Sequence, residues 1–178
     1  MIYVETGFRA ALAFVFFIAC TSKIHSVSSY RDFHDSLKDL GLSSAFLLRA
    51  LSAGIPAAEA VTTLLLAVNR TSLWGLLASA ALVGSFTTGI AVARAQGKVV
   101  RCRCFGESGA LSDGAHILRN LVLFAGAVAG ALASLLPEGR QDPAMVVFAI
   151  GLGIIAAALF LRWDELSFLL GNNVRSTS

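Results

Sequence analysis

Apolar residues run along this chain in five long stretches separated by polar ones. Thr71 to Ala93 holds no charged residue, nor does Asn120 to Pro137, nor Pro143 to Leu161, and between Arg49 and Arg70 the only charge is Glu59. A helix rises about 1.5 Å per residue, so roughly 20 apolar residues cross a ~30 Å hydrocarbon core. The first stretch, Ala10 to Ser22, is short, and it reaches spanning length if Arg9 snorkels back to the interface. The pattern predicts five helices, over about 6–22, 45–68, 72–94, 116–136 and 143–161. The links around Arg70 and Arg140 can only join antiparallel neighbours. The predicted fold is all-α: an antiparallel, up-and-down bundle of four core transmembrane helices plus a fifth, forming one transmembrane domain over residues 1–178.

Two connections are long. In "KIHSVSSYRDFHDSLKDLGLS", Phe33, Leu37 and Leu40 recur at helical spacing among Asp32, Asp35, Lys38 and Asp39. This predicts a short amphipathic helix on the membrane surface between the first two spans. The other connection, Gln96 to Ala115, carries two of the three cysteines. Gly126 and Gly130, with Ala127 and Ala131 beside them, and Gly151 with Gly153, read as small residues that let helix backbones approach.

Composition agrees with a membrane protein. The chain is 56% hydrophobic and 14% charged, where soluble domains carry about 25% charged residues. A net charge of +3, with the basic residues lying mostly in or beside the short inter-helix segments, does not make a nucleic-acid surface. No hydrolytic, phosphate-binding or nucleotide-binding motif is present. The stretch "FIACTS" faintly resembles a lipoprotein cleavage site at Cys20, but Phe17 and Glu5 fit it poorly and a retained helix is expected. With five spans, both long connections share one side with Lys23, Arg31, Lys38, Arg49, Arg94, Lys98, Arg101, Arg103, Arg119, Arg162 and Arg175, against Arg9, Arg70 and Arg140 opposite. The positive-inside rule would turn that side to the cytoplasm.

The stretch "VVRCRCFGESG" sets Cys102 and Cys104 one residue apart, flanked by Arg101 and Arg103 with Lys98 close behind. Positive charge stabilises thiolate, the nucleophile of thiol–disulfide exchange. A Cys-x-Cys disulfide closes a very small ring, and strained or exposed disulfides are the more oxidising ones. Gly106 permits the turn that would present the pair. The pattern suits a redox-active dithiol. A structural disulfide with Cys20, and a metal site using both cysteines with His116 or His25, are alternatives, although structural zinc takes four ligands in paired spacings and there is no second Cys pair. Cys20 ends the first span on the same side; it reads as a possible third thiol, more simply as a small packed side chain.

Glu59 lies near the middle of the second span, three residues after Pro56. An ionisable residue at that depth is a functional-site hypothesis, and the proline opens a polar niche by freeing a carbonyl one turn earlier. Arg119 or Lys23 is its expected partner, in a structural ion pair or a proton-handling site.

Four features, in order, resemble the MauE family of methylamine-utilisation membrane proteins, grouped with the DoxX-like proteins. They are Thr21-Ser22-Lys23-Ile24 at the end of the first span, Pro56-x-x-Glu59, Cys102-x-Cys104-Phe105-Gly106, and Arg119-Asn120 opening the fourth span. The resemblance covers about residues 5–135, leaving the helix at about 143–161 as an addition, and Arg103 departs from it where a small residue is expected. It implies a bacterial plasma-membrane protein that works with a thioredoxin-like partner of the MauD type, in support of disulfide formation in the extracytoplasmic enzyme methylamine dehydrogenase. Cys102 and Cys104 would exchange electrons with the partner's dithiol, Lys98, Arg101 and Arg103 would poise the thiolate, and Glu59 with Arg119 would support the site. By analogy of architecture alone with the DsbB and vitamin K epoxide reductase type, a quinone would accept the electrons, with no cofactor held in the chain. This role places the cysteines outside the cytoplasm, against the charge count. A non-catalytic maturation scaffold and a transporter accessory using Glu59 are the competing classes.

Overall fold

The computed structural model describes residues 2–39, 44–96, 113–136 and 142–162. Among them every regular element is helical: α1 (Ile2–Ile24), α2 (Val27–Asp39), α3 (Ala45–Ala67), α4 (Ser72–Ala95), α5 (Asp113–Ser134) and α6 (Pro143–Leu161), with a 3₁₀ turn at Asn69–Thr71. All but α2 are long and apolar enough to cross a membrane, and the protein is an integral membrane protein with five spanning helices among the described residues. Local chemistry sets the ends. The Ser44 hydroxyl accepts from Leu47 N at the start of α3, and the Asp142 carboxylate accepts from Ala144 N (2.9 Å) at the start of α6, where Pro143 needs no N–H partner. Between α3 and α4 the Thr71 hydroxyl donates to Leu65 O (2.9 Å) and closes the turn.

α1 starts earlier than its charge-free core would allow. Arg9 carries its guanidinium along the bundle to the α3–α4 turn, where Nε donates to Leu66 O (3.0 Å) and Nη2 to Asn69 Oδ1 (2.6 Å). The snorkelling expected of Arg9 thus ends on protein acceptors, with Glu5 one turn away at 3.9 Å.

α1 is the central member. It packs against α3, α5 and α6, and α4 closes the ring between α3 and α5, while α6 lies mainly against α1. Leu12, Phe16, Leu66, Leu76, Val83 and Ala127 form the core of the four-helix part. Lipid gives helices no hydrophobic reason to associate, so contact depends on close backbone approach. A Cβ on Gly75 would lie 2.8 Å from Leu66 N, and one on Gly153 would collide with the Gly7 carbonyl oxygen. Gly151 faces open space, so of the two α6 glycines only Gly153 makes the seam. Gly126 and Gly130 in α5 receive Phe8, and Gly130 also receives Leu76.

The surface helix is present, and Phe33 and Leu37 of its apolar stripe are turned onto protein, while Leu40 lies outside the described residues. Phe33 and Leu37 pack with Leu48, Leu51 and Ile55, while Arg31, Asp32, Asp35 and Lys38 face outward. On that outer face Lys38 Nζ donates to Asp35 Oδ1 (2.7 Å), which holds the Asp35 carboxyl below its ordinary range.

Candidate functional site

Contacts between α1 and α3 run antiparallel, from Arg9 on Leu66 to Cys20 on Pro56. The last turn of α1 therefore meets the middle of α3. Lys23, one residue from the end of α1, points its side chain back toward the bilayer, and only 3% of its surface is exposed. Its ammonium has three protons and meets three acceptors: Glu59 Oε1 at 2.7 Å, Glu59 Oε2 at 3.0 Å and Ala19 O at 3.0 Å. The Phe33 ring of α2 covers it, 5.4 Å from Nζ to the ring centroid. Cation–π attraction of this kind gains strength when the cation is desolvated. A buried charge is tolerated when paired and fully hydrogen-bonded, and this pair meets both conditions.

Of the two partners expected for Glu59, Lys23 makes the pair. Arg119 instead stacks its guanidinium over the Phe160 ring, 5.5 Å away, and so ties α5 to α6. Asn120 is buried beside it in the bundle. Cys20 is a free, buried thiol whose Sγ donates to Pro56 O at 3.4 Å. It lies one turn below Lys23 on the same face of α1, so thiol, ammonium and carboxylate share one region at the α1–α3 seam.

Sequence reasoning missed the roof of this region. Ser52 is fully buried and its hydroxyl donates to Leu48 O (2.6 Å). With that proton committed, His34 Nδ1 is the donor in its 2.8 Å contact with Ser52 Oγ, and this bond fastens α2 to α3. The available signal was a serine four residues before Pro56, in a helix where hydroxyls back-bond to the preceding turn. His25 is engaged locally, with Ser22 O (3.3 Å) and the Ser29 hydroxyl (3.2 Å).

The cysteine-loop expectations, on Lys98, Arg101, Cys102, Arg103, Cys104, Phe105 and Gly106, fall outside the described residues, as does the side chain of His116. The described helices do fix where that segment is attached. Gly75 against Leu66, Gly84 against Phe124 and Gly130 against Leu76 make α3, α4 and α5 successively antiparallel. The end of α4 at Ala95 and the start of α5 at Asp113 therefore sit at the same end of the bundle as Lys23 and Cys20.

No curated protein and no solved structure matches the chain. A family match does exist, described as methylamine utilisation protein MauE, and it spans residues 1–133, from α1 to the last residues of α5. It takes in the Lys23–Glu59 pair, Cys20, the cysteine segment and Arg119-Asn120, and leaves α6 outside; the chain belongs to the MauE family.

Proposed function

We propose that this protein is a membrane thiol–disulfide redox protein that passes electrons between a thioredoxin-like partner and a membrane acceptor, in support of disulfide formation in an extracytoplasmic enzyme of the methylamine dehydrogenase type. The observation that carries the reading is the Cys102-x-Cys104 pair in its basic setting, within a MauE-family chain. In the first step a partner thiolate attacks the Cys102–Cys104 disulfide. A mixed disulfide forms, the second partner thiol resolves it, and the partner leaves oxidised while Cys102 and Cys104 are left as thiols. Two electrons and two protons then pass from the dithiol to an acceptor of the quinone class, which becomes the quinol, and the disulfide re-forms. Arg101, Arg103 and Lys98 lower the cost of the thiolate in both steps.

The test is to equilibrate the purified protein across a series of glutathione redox buffers, trap free thiols with a mass-tagging maleimide, and score the tags on Cys102 and Cys104. A two-thiol transition at a defined potential is expected, and loss of function in a gene-deletion strain when both are changed to Ser. Full function in the Cys102→Ser/Cys104→Ser variant would move the protein to the class of non-catalytic maturation factors. An impermeant maleimide on intact cells reads the side of the membrane. The transporter reading rests on Glu59 as a carboxylate inside the second span, and the 2.7 Å contact with Lys23 gives that carboxylate a structural task.

A further inference from the structure

Phe33 and Leu37, which would lay α2 on a membrane surface, are engaged by protein. The helix is nevertheless at membrane depth. His34 Nδ1 meets Ser52 Oγ at 2.8 Å, and Ser52 is two turns into the spanning helix α3, about 10 Å from its start. The Phe33 ring stands over Lys23, in the last turn of the spanning helix α1. α2 therefore lies beside the ends of two spans, at the boundary between headgroups and hydrocarbon. Its two flanks differ in chemistry. With Phe33 and Leu37 facing inward and 3.6 residues per turn, Val27, Tyr30 and Arg31 fall on one side of α2, and Ser28, Asp32 and Ser36 on the other. Lys38 and Asp35 meet between them on the outermost line, in their 2.7 Å ion pair. Val27 is 68% exposed and Tyr30 38%, while Ile24, three residues before Val27, is 56% exposed. Ile24 itself continues the lipid-facing line of α1, two turns on from the exposed Phe17. An apolar and aromatic surface thus runs from the lipid face of α1 onto one flank of α2. Tyrosine and arginine are favoured at the headgroup level, where the ring sits in the boundary and the guanidinium reaches outward, whereas a carboxylate facing hydrocarbon is costly.

We propose that the Val27, Tyr30 and Arg31 flank of α2 is a lipid-docking surface, seated in the phospholipid headgroup layer. Val27 and Tyr30 lie at the hydrocarbon boundary, and the Arg31 guanidinium sits on lipid phosphate. The flank bearing Ser28 and Asp32 faces the aqueous phase. Two observations select lipid as the occupant. The surface is continuous with the lipid face of α1 through Ile24, and the charge it carries is positive, complementary to phosphate. The surface stands independently of the redox reading, since it rests on no residue of the Cys102–Cys104 segment.

Spin labels read the depth of each flank. The full chain carrying Cys20→Ser, Cys102→Ser and Cys104→Ser has no thiol left, because the sequence has three cysteines, and Cys20→Ser keeps a donor for Pro56 O. Into it Val27→Cys, Tyr30→Cys, Ser28→Cys and Asp32→Cys are introduced one at a time, with Phe17→Cys as the reference in lipid. Each variant is labelled, placed in nanodiscs of phosphatidylcholine and phosphatidylglycerol, and exposed to oxygen, which concentrates in lipid, and to a nickel chelate, which stays in water. The ratio of oxygen to nickel collisions is expected to be several-fold higher for Val27→Cys and Tyr30→Cys than for Ser28→Cys and Asp32→Cys, since the two flanks stand across a helix about 10 Å wide. Arg31→Glu sets a carboxylate among the phosphates and is expected to lower the ratio for Val27→Cys and Tyr30→Cys while leaving that for Phe17→Cys unchanged. Equal ratios on the two flanks, or the higher ratio on the Ser28 flank, would overturn the proposal. Labels at Val27 and Tyr30 shielded from both reagents would overturn it in favour of a protein contact, and an unchanged ratio in Arg31→Glu would remove the seat of Arg31 on phosphate and the proposal with it.

Discussion

Removing Lys23 while leaving Glu59 should be among the most damaging single changes in the bundle, and removing both should not. At 2.7 Å and an effective dielectric of about 20, the attraction within the pair is roughly 6 kcal/mol. Against it stands the cost of two charges inside the bilayer, about 2.5–3.5 kcal/mol each on insertion scales. The two nearly cancel, so the intact pair adds little net stability. Lys23→Met cancels nothing: it removes the attraction and leaves the Glu59 carboxylate among apolar neighbours, for an expected loss of about 3–5 kcal/mol. Glu59→Leu, which strands the ammonium, should cost a similar amount, eased where Lys23 can swing out to the interface. The double variant Lys23→Met/Glu59→Leu should return to within about 1 kcal/mol of the parent, or exceed it, because apolar side chains of like volume fill the seam without desolvating a charge. The measurement is a denaturation series in mixed micelles, titrating a denaturing detergent and following far-ultraviolet circular dichroism, closed as a double-mutant cycle. A coupling energy of about 3 kcal/mol or more is expected. If the single changes each cost under about 1 kcal/mol, or the double costs their sum, the pair is not what holds these two residues at this depth and the reasoning is refuted.

Two further outcomes follow from the packing and the surface. Gly153→Val drives side-chain atoms into the Gly7 carbonyl and should destabilise the α1–α6 contact by about 1–3 kcal/mol, whereas Gly151→Ala meets open space and should be neutral or gain about 0.5–1 kcal/mol from helix propensity; thermal melting of both in the same detergent separates them. The Asp35 carboxyl is held low by the hydrogen bond from Lys38, so its contribution to stability is present above the ordinary carboxylate range and is lost as pH falls through its folded-state value. Because Asp35 is exposed, Lys38→Met should return its titration, followed by NMR, to the ordinary range while lowering the neutral-pH melting temperature only slightly.

The spans were legible because a bilayer demands uninterrupted apolar runs, and Thr71 to Ala93 or Pro143 to Leu161 admits no other reading. The start of α1 was less legible. Glu5 and Arg9 interrupt the run, and they are tolerated because Arg9 ends on Leu66 O and Asn69, acceptors that only the tertiary fold supplies. Glu59 announced itself as an expensive residue, but the choice between Lys23 and Arg119 depended on which helices face α3 at that depth. That information lies in the packing of small residues rather than in the local sequence. Phe33 and Leu37 were readable as an apolar stripe, and their target was not, because a membrane surface and the start of α3 ask for the same spacing. Nothing in the local sequence ties Cys20 to Pro56, since a buried thiol bonded to a carbonyl leaves no pattern along the chain.

The two ends of the α1–α3 seam explain why so many polar groups are held inside an apolar bundle. Apolar side chains facing lipid or one another are nearly indifferent to a one-turn slide, a shift of about 5.4 Å along the axis. The polar ties are not indifferent. Moving along α1 from Arg9 to Cys20 is matched by a near-equal retreat along α3 from Leu66 to Pro56, so the guanidinium at one end and the thiol at the other demand the same register. The Lys23–Glu59 pair demands it a third time, because a slipped helix would leave both charges without partners. Register in turn sets the height of Leu48 and Ser52 against α1, and those residues receive Leu37 and His34 of α2. The same seam therefore carries the roof over Lys23, and fixing α1 against α3 at both ends fixes the place where α2 packs.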